Sequence, residues 1–525
     1  MISNKKTGSY YTPIKTVRFM YKYLESQKNW VCDMLEPSAG DGRFIEQGLK
    51  NDTISKIVGV ELVKEKAEIL LQRFMGKNIH IISKDFLEFS LYSKEKYDLI
   101  IGNPPYINKK NIEPVFVERA YTLCKQYNLP KGIVQNAWVA FILASLSHLA
   151  AKGVLFFVLP IELLQVQYAE KLRVFLEKNF NTIHILTFDE KMFPEIEQNT
   201  CLLYLTNCKE KTPYIDYKQY KKLDSEKPYS TSKIQRNKPL EKWTNAILSD
   251  DEIDVLRRLS KNLPTISEFG NSAPGIVTGA NNVFILTKAE VKKIGCEKFV
   301  IPIISRSNSV QGHLYIDEVL IKGLEADNRV KLFLLNLSGI EEKCLPPKLI
   351  GYLKKEGNRI RNGKKIKDGY KCSRRKPWYA VPIVPTGEVV FFKRYDKVPR
   401  ICVKSKEIYT TDIAYNMRLK LQYDADSFVF CFYNSCTLAL CEYWGRYYAG
   451  GVSELTPTEF KKLCVPYEYI DKEKVEYLRN LLLRGASVDE VVSYVDNETI
   501  LKEFSKEDVN RLKKIRKKLM YRRLS

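Results

Sequence analysis

Over the first two hundred positions, apolar residues recur in short runs, each closed by a turn rich in glycine or proline. Val17, Phe19, Met20 and Leu24 fall at helical spacing, with Thr12 placed to cap that helix and Pro13 suited to its first turn. Trp30 to Leu35 reads as an apolar strand that opens into Glu36-Pro-Ser38-Ala39-Gly40-Asp41-Gly42, followed by a helix from Arg43 to Leu49. A second strand, Ile57 to Val60, ends in Glu61, and a third, His80 to Ile82, leads to Asp85 and Phe86. A fourth, Leu99 to Ile101, is stopped by Gly102-Asn103-Pro104-Pro105-Tyr106. Proline cannot continue a central ladder, so the chain must leave the sheet at Asn103. Apolar strands without alternation predict an α/β fold whose sheet is buried on both faces, with ligands at the carboxyl ends of the strands.

The longest apolar stretch, Val154 to Leu164, is broken by Pro160 and reads as a core strand, and Thr200 to Leu205 reads as another. After Thr206 the composition shifts. Residues 209–245 are dense in Lys, Glu, Tyr and Ser with little periodicity. The expected organisation is a first domain over 1–210, a linker over 211–242, a second domain over 243–470 built from short strands and helices, and a basic helical tail over 471–525.

At 525 residues the chain exceeds the usual size of one core, which agrees with two domains and an appendage. A formal charge of +23 points to a polyanionic partner. The segment Lys348–Lys376 holds twelve Lys/Arg against two acids and is punctuated by glycines, so it is expected to be a loop that follows a phosphate backbone. Arg374, Arg375, Lys376 and Trp378 are its candidate contacts, and the eight Lys/Arg from Arg511 onward could clamp phosphates or form a solvated helix. Twelve scattered cysteines without a Cys-x-x-Cys pair, and four histidines without ligand spacing, indicate neither disulfides nor a metal site. With no leader pattern and no apolar run of about 18 residues, a reduced, cytoplasmic protein without a membrane partner is expected.

The candidate chemistry lies at the strand ends. The Asn103 side-chain oxygen and the Pro104 carbonyl both accept hydrogen bonds, so together they can hold a planar group through its NH2, and Tyr106 offers a face for stacking. Glu36 suits a ligand with a positive charge, Glu61 can accept two ribose hydroxyls, and Asp85 with Phe86 can hold an adenine. No Pro-Cys dipeptide is present for a covalent cysteine route.

These motifs, in this order, resemble the γ-class DNA adenine-N6 methyltransferases, the TaqI-like enzymes of restriction–modification systems. Glu36 stands where that family commonly has aspartate. The resemblance implies a Rossmann-like S-adenosylmethionine-dependent sheet with a second, mixed α+β DNA-recognition domain. It implies that Tyr11, Thr12 and Pro13 belong to the cofactor pocket. Glu36, Ser38, Ala39, Gly40 and Gly42 would then surround the methionine moiety, with Glu61 on the ribose and Asp85 and Phe86 on the adenine. Asn103, Pro104, Pro105 and Tyr106 become the catalytic loop, and Phe141 of Asn136-Ala-Trp-Val-Ala-Phe141 packs on the cofactor adenine. Phe193, in Phe193-Pro194, would join Tyr106 in stacking the target base. Two stretches, 275–284 and 447–457, resemble parts of the family's target-recognition domain.

The implied partner is double-stranded DNA, bound by a monomer. A cognate endonuclease would be a separate protein, since the chain lacks a Pro-Asp nuclease signature and its motifs begin too early for an amino-terminal cleavage domain. The same loop also serves enzymes that methylate RNA adenine, cytosine N4 or protein glutamine. The large basic carboxyl half favours DNA.

Overall fold

A computed structural model describes residues 11–28, 31–193, 199–236, 242–327, 329–361, 363–447 and 451–524. The chain divides into two compact units between Leu248 and Ser249. Among the described residues no helix is long and apolar enough to cross a membrane.

The first unit is built on nine strands: β1 (Asp33–Glu36), β2 (Lys56–Glu61), β3 (Ile79–Ser83), β4 (Tyr97–Gly102), β5 (Leu149–Pro160), β6 (Thr182–Phe188), β7 (Thr200–Thr206), β8 (Tyr214–Tyr220) and β9 (Ser230–Gln235). Their order across the sheet is β3-β2-β1-β4-β5-β7-β6-β8-β9. Strands β3 through β5 pair in parallel, β7 runs antiparallel between β5 and β6, and β8 is again parallel to β6. The apolar runs of β4, β5 and β7 are buried because helices cover the sheet and no solvated face is left for alternation. Edge strand β9 carries Ser230, Thr231, Ser232 and Lys233, a polar rim that discourages pairing with another chain.

Two expectations change in this unit. The helix Ile14–Ser26 begins one residue later than the capping pattern suggested: Pro13 occupies the cap position and the Thr12 hydroxyl does not cap it. Trp30 and the segment 8–10 lie outside the described residues. Residues 211–242 are not a linker, because β8 and β9 within them complete the sheet. Ile215 and Tyr217 point into the core at strand alternation, a period of two hidden by the surrounding lysines. The unit continues past them to Trp243, whose buried indole Nε1 donates to Glu177 at 2.7 Å.

The second unit is a mixed α+β body. Its larger sheet has the order Gly270–Pro274, Ala414–Leu419, Val389–Phe392, Arg400–Lys404 and Tyr315–Ile316, antiparallel except for the last pair. A smaller four-stranded sheet contains Val300–Ile304 and Phe333–Leu335. The segment 348–376 is largely ordered structure and not one basic loop. Pro347–Asn358 is a helix whose Leu349, Leu353 and Gly357 face inward, and a two-stranded hairpin, Ile360–Arg361 with Lys364–Lys365, follows it. Leucines four residues apart were the signal that the glycines obscured.

Nor is 471–525 an appended tail. The helix Lys506–Leu524 packs on the helix Ser435–Trp444, and Arg523 is buried in a two-pronged pair with Glu442. Arg523 Nε and Nη2 donate to the two carboxylate oxygens at 2.9 and 2.7 Å, while Nη1 donates to the Gly451 carbonyl. Removing one member of such a pair strands the other charge in an apolar setting. Arg523→Ala is therefore expected to destabilise the protein by about 3–5 kcal/mol. Replacing both partners with apolar residues should cost less, and urea unfolding of the three full-length proteins measures the difference.

Candidate active site

Strand order reverses around β1: β2 and β3 continue to one side of it, β4 and β5 to the other. In open α/β sheets this arrangement makes a switch point, where the loops leaving the two central strands diverge and ligands bind. Glu36 ends β1 and Asn103 directly follows β4, so both stand at that point. The two loops are tied together by the Ser38 hydroxyl, which donates to the Asn103 backbone carbonyl at 3.0 Å.

The β1 loop is shaped for close approach. Gly40 and Gly42 have φ of +57° and +78°, and a Cβ on Gly42 would stand 2.7 Å from Leu70 Cδ2. Glycine is therefore needed there both for the backbone angle and for space. The Tyr11 ring lies against Gly40, within 3.6 Å of where a Cβ would sit, and Arg43 Nη1 donates to the Thr12 carbonyl at 2.9 Å. Ala39 donates its N–H to the Val60 carbonyl at 2.9 Å. Glu61, at the end of β2, accepts Gly40 N–H on one oxygen at 2.8 Å and Val63 N–H on the other at 2.9 Å. Each oxygen keeps a further lone pair, so Glu61 shapes the loop without exhausting its capacity as an acceptor.

Glu36 is strongly perturbed at this edge. It is 2 % exposed, and its Oε2 has no hydrogen-bond partner among the described residues. Burial, with Asp41 and Glu61 adding negative charge nearby, pushes its carboxyl well above the usual carboxylate range. A buried acid with an oxygen unpartnered among the described residues is costly to the fold.

The β3 and β4 ends supply the remaining groups. Asp85 caps the helix Phe86–Tyr92, and its Oδ1 accepts both Glu88 N–H at 2.9 Å and Arg119 Nη1 at 3.1 Å. Phe86 lies 5.2 Å from Phe141, which in turn stacks at 6.3 Å on Phe116. Pro104 is buried, and Tyr106 donates its hydroxyl to the Val158 carbonyl at 3.0 Å, a tether that fixes the ring. The loop is closed by a bridge between Asn108 and Asn136 and by Ala137 N–H donating to the Ile107 carbonyl at 2.9 Å.

The structure thus brings Tyr11 to Pro13, Glu36 to Gly42, Glu61, Asp85, Phe86, Phe141 and Asn103 to Tyr106 to neighbouring strand ends, and leaves other expected residues elsewhere. Phe193 is buried in the hydrophobic core beside Met192, and Pro194 lies outside the described residues. In the second unit, Trp378 packs against Gly357 and Phe284, and Arg375 holds the Val277 and Thr278 carbonyls at 2.8 and 2.7 Å. Both are committed to structure. Arg374 stacks on the exposed Tyr370 at 3.9 Å, and it and Lys376 face solvent. Residues 448–450 of the stretch 447–457 lie outside the described residues.

Arg43, Phe116 and Asn136, the last quoted above only as the start of the Phe141 stretch, also border these groups. Asn136 is 8 % exposed, with a buried Oδ1 that lacks a partner among the described residues. Its legible signal was a cap-type residue directly before an apolar helix that it does not cap.

Two family models match this chain: Eco57I restriction-modification methylase over residues 43–193, and Type II methyltransferase M.Eco57I, C-terminal domain, over residues 240–500. The chain is 28% identical over 208 residues to modification methylase CviBIII of Paramecium bursaria Chlorella virus NC1A. That match covers 38% of this chain and 50% of the viral enzyme, so the chain spans half the length of that relative. It is 21% identical over 526 residues to the type II methyltransferase M.AccI of Acinetobacter calcoaceticus, across 94% of this chain and 93% of that one. Its fold is similar to that of the Type IIL restriction-modification enzyme MmeI, with a TM-score of 0.60 at 11% identity, over 97% of this chain and 75% of the other.

The state of Glu36 sets an expectation for stability. A carboxyl whose folded pKa is raised binds its proton more tightly in the native state. It therefore opposes folding increasingly as pH rises from the ordinary carboxylate range toward the folded value. Glu36→Gln is expected to stabilise the ligand-free protein at neutral pH by on the order of 1–3 kcal/mol, with the gain disappearing below about pH 4. Thermal unfolding of both proteins across that range measures it, and a variant that is less stable at neutral pH would contradict the assignment.

Proposed function

We propose that this chain, a methyltransferase of the restriction–modification type, methylates N6 of an adenine in double-stranded DNA with S-adenosylmethionine as donor. The observation that carries the reading is the Asn103–Tyr106 loop, pinned at the switch point beside an unmatched buried carboxylate.

The residues at this edge fit the cofactor. Glu36 offers its unpartnered oxygen to the ammonium of the methionine moiety, and Gly40 and Gly42 leave room for close passage. Glu61 accepts from the ribose hydroxyls, while Phe86, Phe141 and Phe116 provide apolar cover for the adenine and Asp85 Oδ2 accepts from its amine. Bound there, S-adenosylmethionine supplies an electrophilic methyl group on sulfonium.

The chain's own residues then hold the acceptor. A base stacked inside a duplex cannot reach this edge, so the target adenine must be rotated out of the helix. Its ring is received on Tyr106, whose tethered hydroxyl fixes the stacking plane. The Asn103 amide oxygen and the Pro104 carbonyl accept the two hydrogens of the NH2, which draws electron density onto nitrogen and aims its lone pair. Ser38 keeps the Asn103 backbone in register with the cofactor loop. The charge of +23 supports a nucleic-acid substrate, and MmeI, of like fold, was solved in complex with DNA. The second unit is assigned to target recognition, with Arg374 and Lys376 available to phosphates.

Asn103→Ala is expected to lower methyl transfer by roughly 10²–10³-fold, the scale of losing one polar group that acts on the transition state. Cofactor binding should change little. Tritiated donor offered with native DNA, RNA or protein, followed by nucleoside analysis, tests the whole proposal. Label in cytosine, RNA or glutamine, or near-normal turnover of the variant, would refute it.

A further inference from the structure

The helix Ile14–Ser26 starts beside the switch-point edge, where the Thr12 carbonyl is held by Arg43. Val17, Met20, Tyr21 and Leu24 form its buried face, while Lys15, Arg18 and Lys22 are exposed. These three cations are three and four residues apart, so they make one stripe roughly 10 Å long. Among the described residues none of the three is in an ion pair. On one side the stripe walls a cleft of about 460 Å³ that Lys218 also lines, together with Asp224 and Glu226. Lys218 donates to the Tyr23 hydroxyl at 2.9 Å, and that hydroxyl meets His184 Nδ1 at 2.8 Å, which holds the ammonium in a set position. Asp216 stands 3.8 Å from it.

On the other side Arg18 shares a depression with Arg43, Lys50 and Arg73. The two acids there are already engaged, Asp41 with Arg43 at 2.7 Å and Glu46 with Arg73 at 2.5 Å. Arg18 and Lys50 therefore add positive charge that the depression does not neutralise. Basic side chains thus flank the helix on both sides, Arg43, Lys50 and Arg73 on one and Lys218 on the other.

From this juxtaposition we infer that Lys15, Arg18 and Lys22 form a second contact for the DNA backbone, on the methyltransferase unit itself, that binds phosphodiesters flanking the extruded base. The inference rests on the DNA reading above. A duplex whose base enters at the switch point must carry its backbone past the mouth of that edge, and the stripe begins there. Exposed cations spaced along one helix face, outside the ion pairs of the described residues, suit a row of phosphates and add nothing to the core.

The test is salt-dependent binding of a short labelled duplex by the full chain, carrying K15A, R18A and K22A together. The variant is expected to bind at least about tenfold more weakly, with a slope of log K against log salt shallower by about 2 to 3, while cofactor binding stays unchanged. A control with K171A and K178A, on the helix Glu170–Asn179, should leave affinity and slope as they were. Unchanged binding by the triple variant, or an equal loss in the control, would overturn the stripe. Failure of the parent protein to bind DNA at all would overturn both this and the DNA reading.

Discussion

The parallel pairing of β1 with both β2 and β4 is the constraint on which the site depends. Because the sheet continues in opposite directions from β1, the loop carrying Gly40 and the loop carrying Asn103 leave adjacent strands and part from each other. The Ser38 hydroxyl on the Asn103 carbonyl ties the two loops together where they part. A neutral hydrogen bond of this kind contributes about 1 kcal/mol to stability, yet its geometric effect is larger. It joins the group that would hold a donor to the group that would hold an acceptor.

The site is assembled at some cost to the fold. Glu36 is buried against like charge, and one of its oxygens and the buried Asn136 amide oxygen lack partners among the described residues. Apolar residues in these positions would give a more stable resting protein. Polar groups held where they destabilise are what the proposed cofactor site would complete. The aromatic set behaves differently. Phe86 and Phe141 cover each other, and Tyr106 is fixed through its hydroxyl, so these rings are already ordered before anything binds.

Basic residues divide into two populations in both units. Arg523, Arg375 and Arg173 are turned inward onto Glu442, backbone carbonyls or both, where a planar fork of donors satisfies several acceptors at once. Lys15, Arg18, Lys22, Arg374 and Lys376 face solvent. Only the second population can meet a polyanion, so a net charge of +23 overstates the surface available to one.

By itself the sequence determined the strand ends and their chemistry. Glu36, Glu61, Asp85 and Asn103 stand at or just past the ends of short strands, and at Asn103 the end is fixed locally by the prolines that follow. Tertiary structure decided whatever depended on partners distant in the chain. It folded 211–242 into the sheet as β8 and β9, because an edge strand needs only one neighbour and tolerates lysines. Phe193 was drawn into the core, Trp378 was set against Gly357, and the supposed tail became a core helix through Arg523 and Glu442. Local spacing shows where the chain must turn. Burial and pairing are set by surfaces that meet only once it has folded, and no short window of residues contains both sides of such a contact.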